Sequence, residues 1–284
     1  KSLQEYPFVG IIGCEFFVCE DRLDRSKKDD GYQIVLLAKN KNGYHNLAKL
    51  SSEGMLNGFY YVPRIDKSYL LEHKEDLIVL SGGLRGEIQH LYLNVGEAQA
   101  REALEWWRDQ FGDDFYLELN RHRLEEEDHV NLQLLSYAKE YGIKYIAANN
   151  TFYLTQENAE AHDILLCVKE GAQKSTPIGR GRGFRYGFPN QEFYFKTKEE
   201  MVELFSDLPE ALNTTKEIID KVELYPLERD VLLPEFDIPE EFQDPQDKID
   251  SGQRGENAYL RHLTYVGAKT RYEDLTPEIT ARLD

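Results

Sequence analysis

Two side chains in this sequence have the type and placing to hold a metal ion. Glu15 closes the apolar run Ile11-Ile12-Gly13-Cys14-Glu15, and His122 stands in Leu119-Asn120-Arg121-His122. A carboxylate and an imidazole at strand ends are good ligands for zinc or manganese. On spacing alone the plainer reading is favoured, because a lone Glu and a lone His far apart in sequence usually have structural roles. His162-Asp163 reads as a helix-face or capping contact. The stretch Gly179-Arg180-Gly181-Arg182-Gly183-Phe184-Arg185 concentrates positive charge. Arg180, Arg182 and Arg185 are therefore candidates to touch a nucleic-acid backbone, and the plainer reading is a solvated insertion loop. Trp107 fits a helix core, and Trp106 faces elsewhere.

Other chemistries are excluded by what the sequence lacks. Ser81-Gly82-Gly83 is not followed by Gly-Lys-Ser/Thr, so it is no phosphate-binding loop. There is no Gly-x-Ser-x-Gly nucleophile elbow and no Asp-x-Asp pair of the kind that holds two metals for phosphoryl transfer.

With 284 residues and 41% hydrophobic content, including 18 Tyr and 14 Phe, the chain can bury a core. The net charge of −18 repels phosphates wherever basic groups are not gathered in one place. Cys14, Cys19 and Cys167 fit no zinc spacing and read as reduced thiols of a cytoplasmic protein. No apolar run approaches the roughly 20 residues of a membrane span. The opening Lys1-Ser2-Leu3-Gln4-Glu5-Tyr6 lacks a signal-peptide core. The missing initial Met suggests a piece of something longer.

These candidates must be positioned by strands and helices that alternate along most of the chain. Residues 11–18, 32–38, 76–81, 115–119 and 143–148 read as strands. Segments 43–54, 97–111, 125–141 and 156–169 read as helices; Ala100, Ala103, Leu104, Trp107 and Phe111 form one stripe, and Gly142 is a stop. The alternation predicts an α/β sheet or barrel of parallel strands, whose chemistry sits at the C-terminal strand ends. That directs attention to Glu15, Gln33, Gly82, Gly83, 118–122 and 149–152. Further on, 192–196 reads as a short strand. Thr197 with Glu200 and Asp207 with Glu210 have capping-box spacing. Residues 224–251 read as an extended acidic linker, and 256–269 and a segment opened by Thr276-Pro277 as helices.

The wording of the chain goes further than its patterns. Ile11-Ile12-Gly13-Cys14-Glu15 resembles the Ile-Ile-Gly-x-Glu strand of the polymerase and histidinol phosphatase (PHP) domain family, as found in bacterial DNA polymerase III alpha subunits. The resemblance continues in order through Gly43-Tyr44-His45-Asn46-Leu47, Pro63-Arg64-Ile65-Asp66-Lys67, Ala161-His162-Asp163-Ile164-Leu165-Leu166-Cys167 and Leu204-Phe205-Ser206-Asp207-Leu208-Pro209-Glu210-Ala211. Tyr259-Leu260 to Glu278 resembles the segment that opens the polymerase part.

This resemblance implies a distorted (βα)7 TIM-like barrel followed by a helical extension. Residues 1–223 would be the PHP-like barrel domain, 224–255 an acidic Pro-containing linker, and 256–284 the helical start of the palm and thumb region. It also implies a His-x-His strand and a Thr-Asp-His-Gly turn upstream of Lys1, leaving the barrel incomplete, and polymerase aspartates beyond Asp284. In active relatives a His/Asp/Glu cluster binds metals and hydrolyses phosphoesters. Glu15 and His122 match two of its ligands. Gln33 stands where a His is expected, and Asn149-Asn150-Thr151-Phe152 replaces an Asn-Asp-x-His pattern, so Asn150 and Phe152 replace two more. The resemblance thus implies no functional metal and no catalytic residue here, and a scaffold within a DNA-directed DNA polymerase whose own reaction uses magnesium. Its partners would be the rest of the alpha subunit, a proofreading exonuclease subunit and, through the parent, primer-template DNA, with no membrane. The alternative is an active phosphoesterase or 3′–5′ nuclease using zinc or manganese. A freestanding relative outside replication fits the tail from Tyr259 less well.

Overall fold

The computed structural model describes residues 10–179, 181–228 and 236–284. Two units are distinguished, Lys1–Pro226 and Leu227–Asp284. The first is built on a six-stranded sheet. β1 (Gly13–Cys19) and β2 (Tyr32–Ala38) pair antiparallel, with Gly13 opposite Leu37 and Val18 opposite Tyr32. β3 (Ile65–Asp66) runs parallel to β1, and β4 (Leu77–Leu80) antiparallel to β2. β5 (Phe115–Asn120) and β6 (Tyr145–Ala148) continue the sheet in parallel. The order is β3-β1-β2-β4-β5-β6, and among the described residues β2 alone runs against the rest.

That reversal corrects the expectation of parallel strands throughout. A parallel pair needs a crossover, usually a helix packed back on the sheet. Segment 20–31 contains no helix, and its one large apolar residue, Leu23, is 57% exposed. With nothing to pack on the sheet, the chain turns straight back.

Helices follow the other strands. α1 (Lys41–Leu56) starts where the Asn40 side chain accepts from the N–H groups of Asn42 and Gly43, and α2 (Lys67–Glu72) where Asp66 accepts from Tyr69. α3 (Glu87–Asn94), α4 (Glu97–Phe111) and α5 (Glu125–Tyr141) come next, and α5 ends at Gly142 with φ +66°, a conformation that favours glycine. Ala100, Ala103, Leu104 and Trp107 of α4 and Val130, Leu134 and Tyr137 of α5 are buried in one core with Leu36, Val79, Leu117 and Leu119 from the strands. The opposite sheet face carries a smaller cluster of Ile78, Leu80, Tyr116 and Ile146, closed by Ile218. Ile218 belongs to the last helix of this unit, which follows α6 (Ala159–Glu170) and α7 (Lys198–Leu204) and is α8 (Pro209–Asp220).

The Thr197–Glu200 capping box forms as the spacing indicates. The second box does not: α8 begins at Pro209 with no side-chain cap. Asp207 instead takes two hydrogen bonds from Arg121, at 2.5 and 2.9 Å, because a bidentate guanidinium outcompetes a single backbone N–H. Residues 192–196 form one parallel bridge, Tyr153 to Tyr194, rather than a strand. The segment opposite turns into a 3-10 helix at Gln156, so no partner is left to extend the ladder.

The second unit, described from residue 236, holds a 3-10 turn at Glu240–Phe242, α9 (Asp247–Asp250), α10 (Arg254–Arg271) and α11 (Pro277–Leu283). Thr276 caps α11, with Pro277 in its first turn. Tyr259 of α10 packs on Phe242 at 5.1 Å. Residues 229–235 of the segment read as a linker lie outside the described residues.

Candidate functional site

The register of the sheet gathers several candidates on one face. Glu15 lies opposite Val35 and Phe17 opposite Gln33, and the row runs on from Val35 to Leu80 and from Leu80 to Tyr116. Side chains alternate along a strand, so Glu15 and Gln33 share the face of Tyr116, Glu118 and Asn120. The reversal of β2 matters here. It brings Gln33 to the C-terminal end of the other strands, where Gln33 N–H donates to Arg85 O at 2.9 Å beside the turn that follows β4.

Glu15 is exposed, and Glu118 is buried. Asn120 Nδ2 donates to Glu118 Oε1 at 2.8 Å, while Ser81 Oγ accepts from the Glu118 backbone N–H at 2.9 Å. Among the described residues, Glu118 Oε2 and Asn120 Oδ1 are buried acceptors without a donor. Burial pushes the Glu118 carboxyl above its ordinary value; the Asn120 hydrogen bond opposes this, and the field of Glu15 adds to it. A β-carbon on Gly83 would meet the amide nitrogens of Asn120 at 3.2 Å and Asn150 at 3.5 Å, so these two amides flank the turn after β4.

His122 is buried and fully engaged. Its Nδ1 lies 2.7 Å from Glu127 Oε1, and its Nε2 accepts from the backbone N–H of Asn150 at 3.2 Å. An Nε2 that accepts carries no proton, which places the proton on Nδ1. The imidazole also stacks on Phe193, with centroids 4.4 Å apart and planes 6° from parallel. Both nitrogens are thus occupied by protein groups. Phe152 is 53% exposed and contributes a ring rather than a ligand, packing on Phe188 at 4.6 Å.

The three arginines of the Gly-rich loop have different positions. Arg180 lies outside the described residues, and Arg182 is exposed. Arg185 is not a free cation for nucleic acid, which corrects that expectation. It is 7% exposed and makes two hydrogen bonds to Asp163, at 2.6 and 2.8 Å. The guanidinium holds the Asp163 carboxyl below the usual range. Thus Asp163 of α6 is a loop anchor.

Sequence reasoning marked the window containing Glu118 without giving that residue a role. The available signal is a lone acid in the apolar strand Phe115-Tyr116-Leu117-Glu118-Leu119. Glu127 was missed altogether; it is an acid in the first turn of the helix directly after His122. A buried lysine was also missed. Lys196 sits among Glu192 and Asn149, with its ammonium 3.3 Å from Asn149 Oδ1, and desolvation lowers its pKa. Among the described residues, no group of three or more His, Cys, Asp and Glu side chains is arranged to hold a metal ion.

Residues 3–122 match the PHP domain family. The chain is 41% identical over 99% of its length to the DNA polymerase III subunit alpha of Borreliella burgdorferi, covering 24% of that protein. It is 37% identical over 96% of its length to the subunit alpha of Treponema pallidum, covering 22% of it. With the subunit alpha of Thermus aquaticus it shares 38% identity over 94% of its length, covering 21% of that protein. The chain therefore spans less than a quarter of the length of these curated relatives.

Proposed function

We propose that this chain is a stretch of a DNA polymerase III subunit alpha that contains a PHP domain, and that its sheet is a non-hydrolytic scaffold within a DNA-directed DNA polymerase. The observation that carries the reading is the state of His122. Its only lone pair suited to a metal accepts the backbone N–H of Asn150, the residue that replaces a family aspartate. Gln33 and Asn150 bring no charge to balance divalent cations, and Phe152 brings no donor atom. Glu15 remains as an exposed carboxylate. The residues present do not fit the metal cluster of hydrolytic relatives, and no hydrolytic step is assigned to them.

In this reading the six strands are part of a distorted (βα)7 barrel. Residues 1–223 form the PHP-like domain, 224–255 the linker and 256–284 the start of the polymerase region. The domain supports the rest of the alpha chain and docks a proofreading exonuclease subunit, while primer-template DNA and magnesium are handled elsewhere in the parent. None of the described helices is long and apolar enough to cross a membrane; the parent replicase is read as cytoplasmic. Elemental analysis of the full-length alpha subunit after dialysis against zinc and manganese tests the proposal. Metal near zero supports a scaffold. Stoichiometric metal would restore the phosphoesterase or nuclease alternative and overturn it.

A further inference from the structure

The outer face of α1 departs from the charge pattern that a helix favours. Its first residue is Lys41, no acid stands in its first turn, and no base stands in its last. A cation at a helix N-terminus opposes the macrodipole, so local stability does not account for Lys41. His45 and Lys49 follow at four-residue steps, and all three side chains are exposed. Residues four apart are neighbours on a helix surface, so the three form one basic stripe about 12 Å long. Among the described residues, neither Lys41 nor Lys49 has an acid within ion-pair distance, whereas the next acid along α1, Glu53, is held by Arg22 at 2.6 Å.

The stripe borders an open groove of about 600 Å³ between α1 and α2. His45, Lys49 and Ser52 line it from α1, and Tyr69 lines it from α2. Two neighbours hold Tyr69 in place: the Arg22 guanidinium lies 4.7 Å over its ring, and His73 sits edge-on at 4.7 Å. Leu56, at the C-terminal end of α1, also lines the groove and is 77% exposed; Met55 beside it is exposed as well. The groove therefore offers basic groups along one part and an uncovered apolar anchor at the other.

We propose that this groove docks an acidic segment of another protein chain, one that also carries a large apolar residue. Its acidic side chains meet Lys41, His45 and Lys49, and its apolar residue packs between Leu56 and Tyr69. Charge complementarity selects this partner. The chain as a whole carries −18 and repels acidic proteins at long range. An acidic segment therefore gains attraction only where basic groups are gathered without acids of their own, as they are along α1. The exposed Leu56 favours protein over nucleic acid, whose phosphate backbone has no apolar group to cover it. The contacts are made at an open surface, so docking is weak and sensitive to salt. It goes beyond the scaffold reading and does not depend on whether the sheet hydrolyses phosphoesters.

The test is fluorescence anisotropy of the full-length alpha subunit with a labelled helical peptide that carries glutamate at every fourth position beside a stripe of leucines. Comparison peptides carry lysine for each glutamate, or serine for each leucine. The glutamate–leucine peptide should bind most tightly, lose affinity as salt rises, and slow hydrogen exchange in α1 and α2. Lys49→Glu should weaken it about ten-fold, and Leu56→Ser about five-fold or more. Lys198→Glu, at an exposed lysine of α7, should leave binding unchanged. Lys49→Glu should also strengthen binding of the lysine peptide, a gain that a misfolded variant would not show. Equal binding of the glutamate and lysine peptides, absence of binding by the first, or the same loss from Lys198→Glu as from Lys49→Glu would overturn the proposal. So would protection of α1 by an oligonucleotide and not by the peptide. Metal content enters none of these readouts, so this site and the scaffold reading fail separately.

Discussion

The carboxylate of Glu127 holds His122 at two points, with Oε1 2.7 Å from the imidazole Nδ1 and Oε2 accepting the His122 backbone N–H at 2.5 Å. Both contacts are buried. Replacing Glu127 with Ala leaves two enclosed donors without an acceptor, each costing roughly 1–3 kcal/mol. Glu127→Ala should therefore lower unfolding stability by about 3 kcal/mol in urea titration, and Glu127→Gln by less. Nitrogen-15 NMR of the unsubstituted chain should show His122 protonated at Nδ1. A spectrum with the proton on Nε2 would remove the argument that its lone pair is occupied.

Glu118 gives a prediction about pH. Its carboxyl is raised by burial in the folded chain and reverts to an ordinary value on unfolding. Its favourable contribution is fully present below the unfolded pKa and lost as pH rises through the folded value, because the native state must then ionise an enclosed acid. Protonation also supplies a donor to a corner where Glu118 Oε2 and Asn120 Oδ1 lack one. Glu118→Gln keeps the acceptor for Asn120 and removes the charge. It should raise stability at neutral pH by about 1 kcal/mol and reduce the loss of stability above the ordinary carboxyl range, both read from thermal melts across pH.

Arg185 and Asp163 predict the opposite slope. Asp163 is lowered by its arginine, so the contribution of this pair is present above the ordinary carboxyl pKa and lost as pH falls through the folded value. Arg185→Ala should release the loop foot from α6. Trypsin cleavage after Arg182 should then accelerate, while the melting temperature falls only slightly. Unchanged cleavage would show that the backbone turn alone fixes the loop.

Arg64 is 1% exposed and donates to four backbone carbonyls, those of Gly58, Asp29, Arg22 and Asp24. It ties segment 20–31 to the stretch before β3. Lysine has a single ammonium in place of the fork and reaches fewer of these oxygens. Arg64→Lys should cost about 2 kcal/mol or more and speed hydrogen exchange in residues 21–31. An unaltered exchange rate there would mean that the loop is held by its own turns.

The helices were legible because their cause is local. The α4 stripe, the Gly142 stop and the Thr197–Glu200 box all lie within a few residues of what they determine. Three features were not legible, because a distant partner decided them. Asp207 had the spacing of a cap but found Arg121, 86 residues away. Arg185 looked like a free cation until Asp163, 22 residues back, claimed it. The direction of β2 depended on segment 20–31 having nothing to pack, which strand-helix alternation does not register. At the candidate site, Glu15 and His122 were marked by residue type and strand-end position, and the resemblance identified Gln33, Asn150 and Phe152 as replaced ligands. The tautomer of His122 and the enclosure of Glu118 needed coordinates, since both arise from chain segments that meet only in the folded sheet.

The reversal of β2 also bears on the order of assembly during synthesis. β1 and β2 are sequence neighbours and can zip together as a hairpin within about 1–10 μs of emerging. The parallel pairs of β4 with β5 and β5 with β6 must wait until the intervening helices are made, and contacts so separated in sequence form more slowly. A nascent chain therefore acquires its first stable ribbon at β1–β2, with α1 following directly. The free edge of β2 then becomes the template on which β4, and after it the rest of the sheet, is laid down.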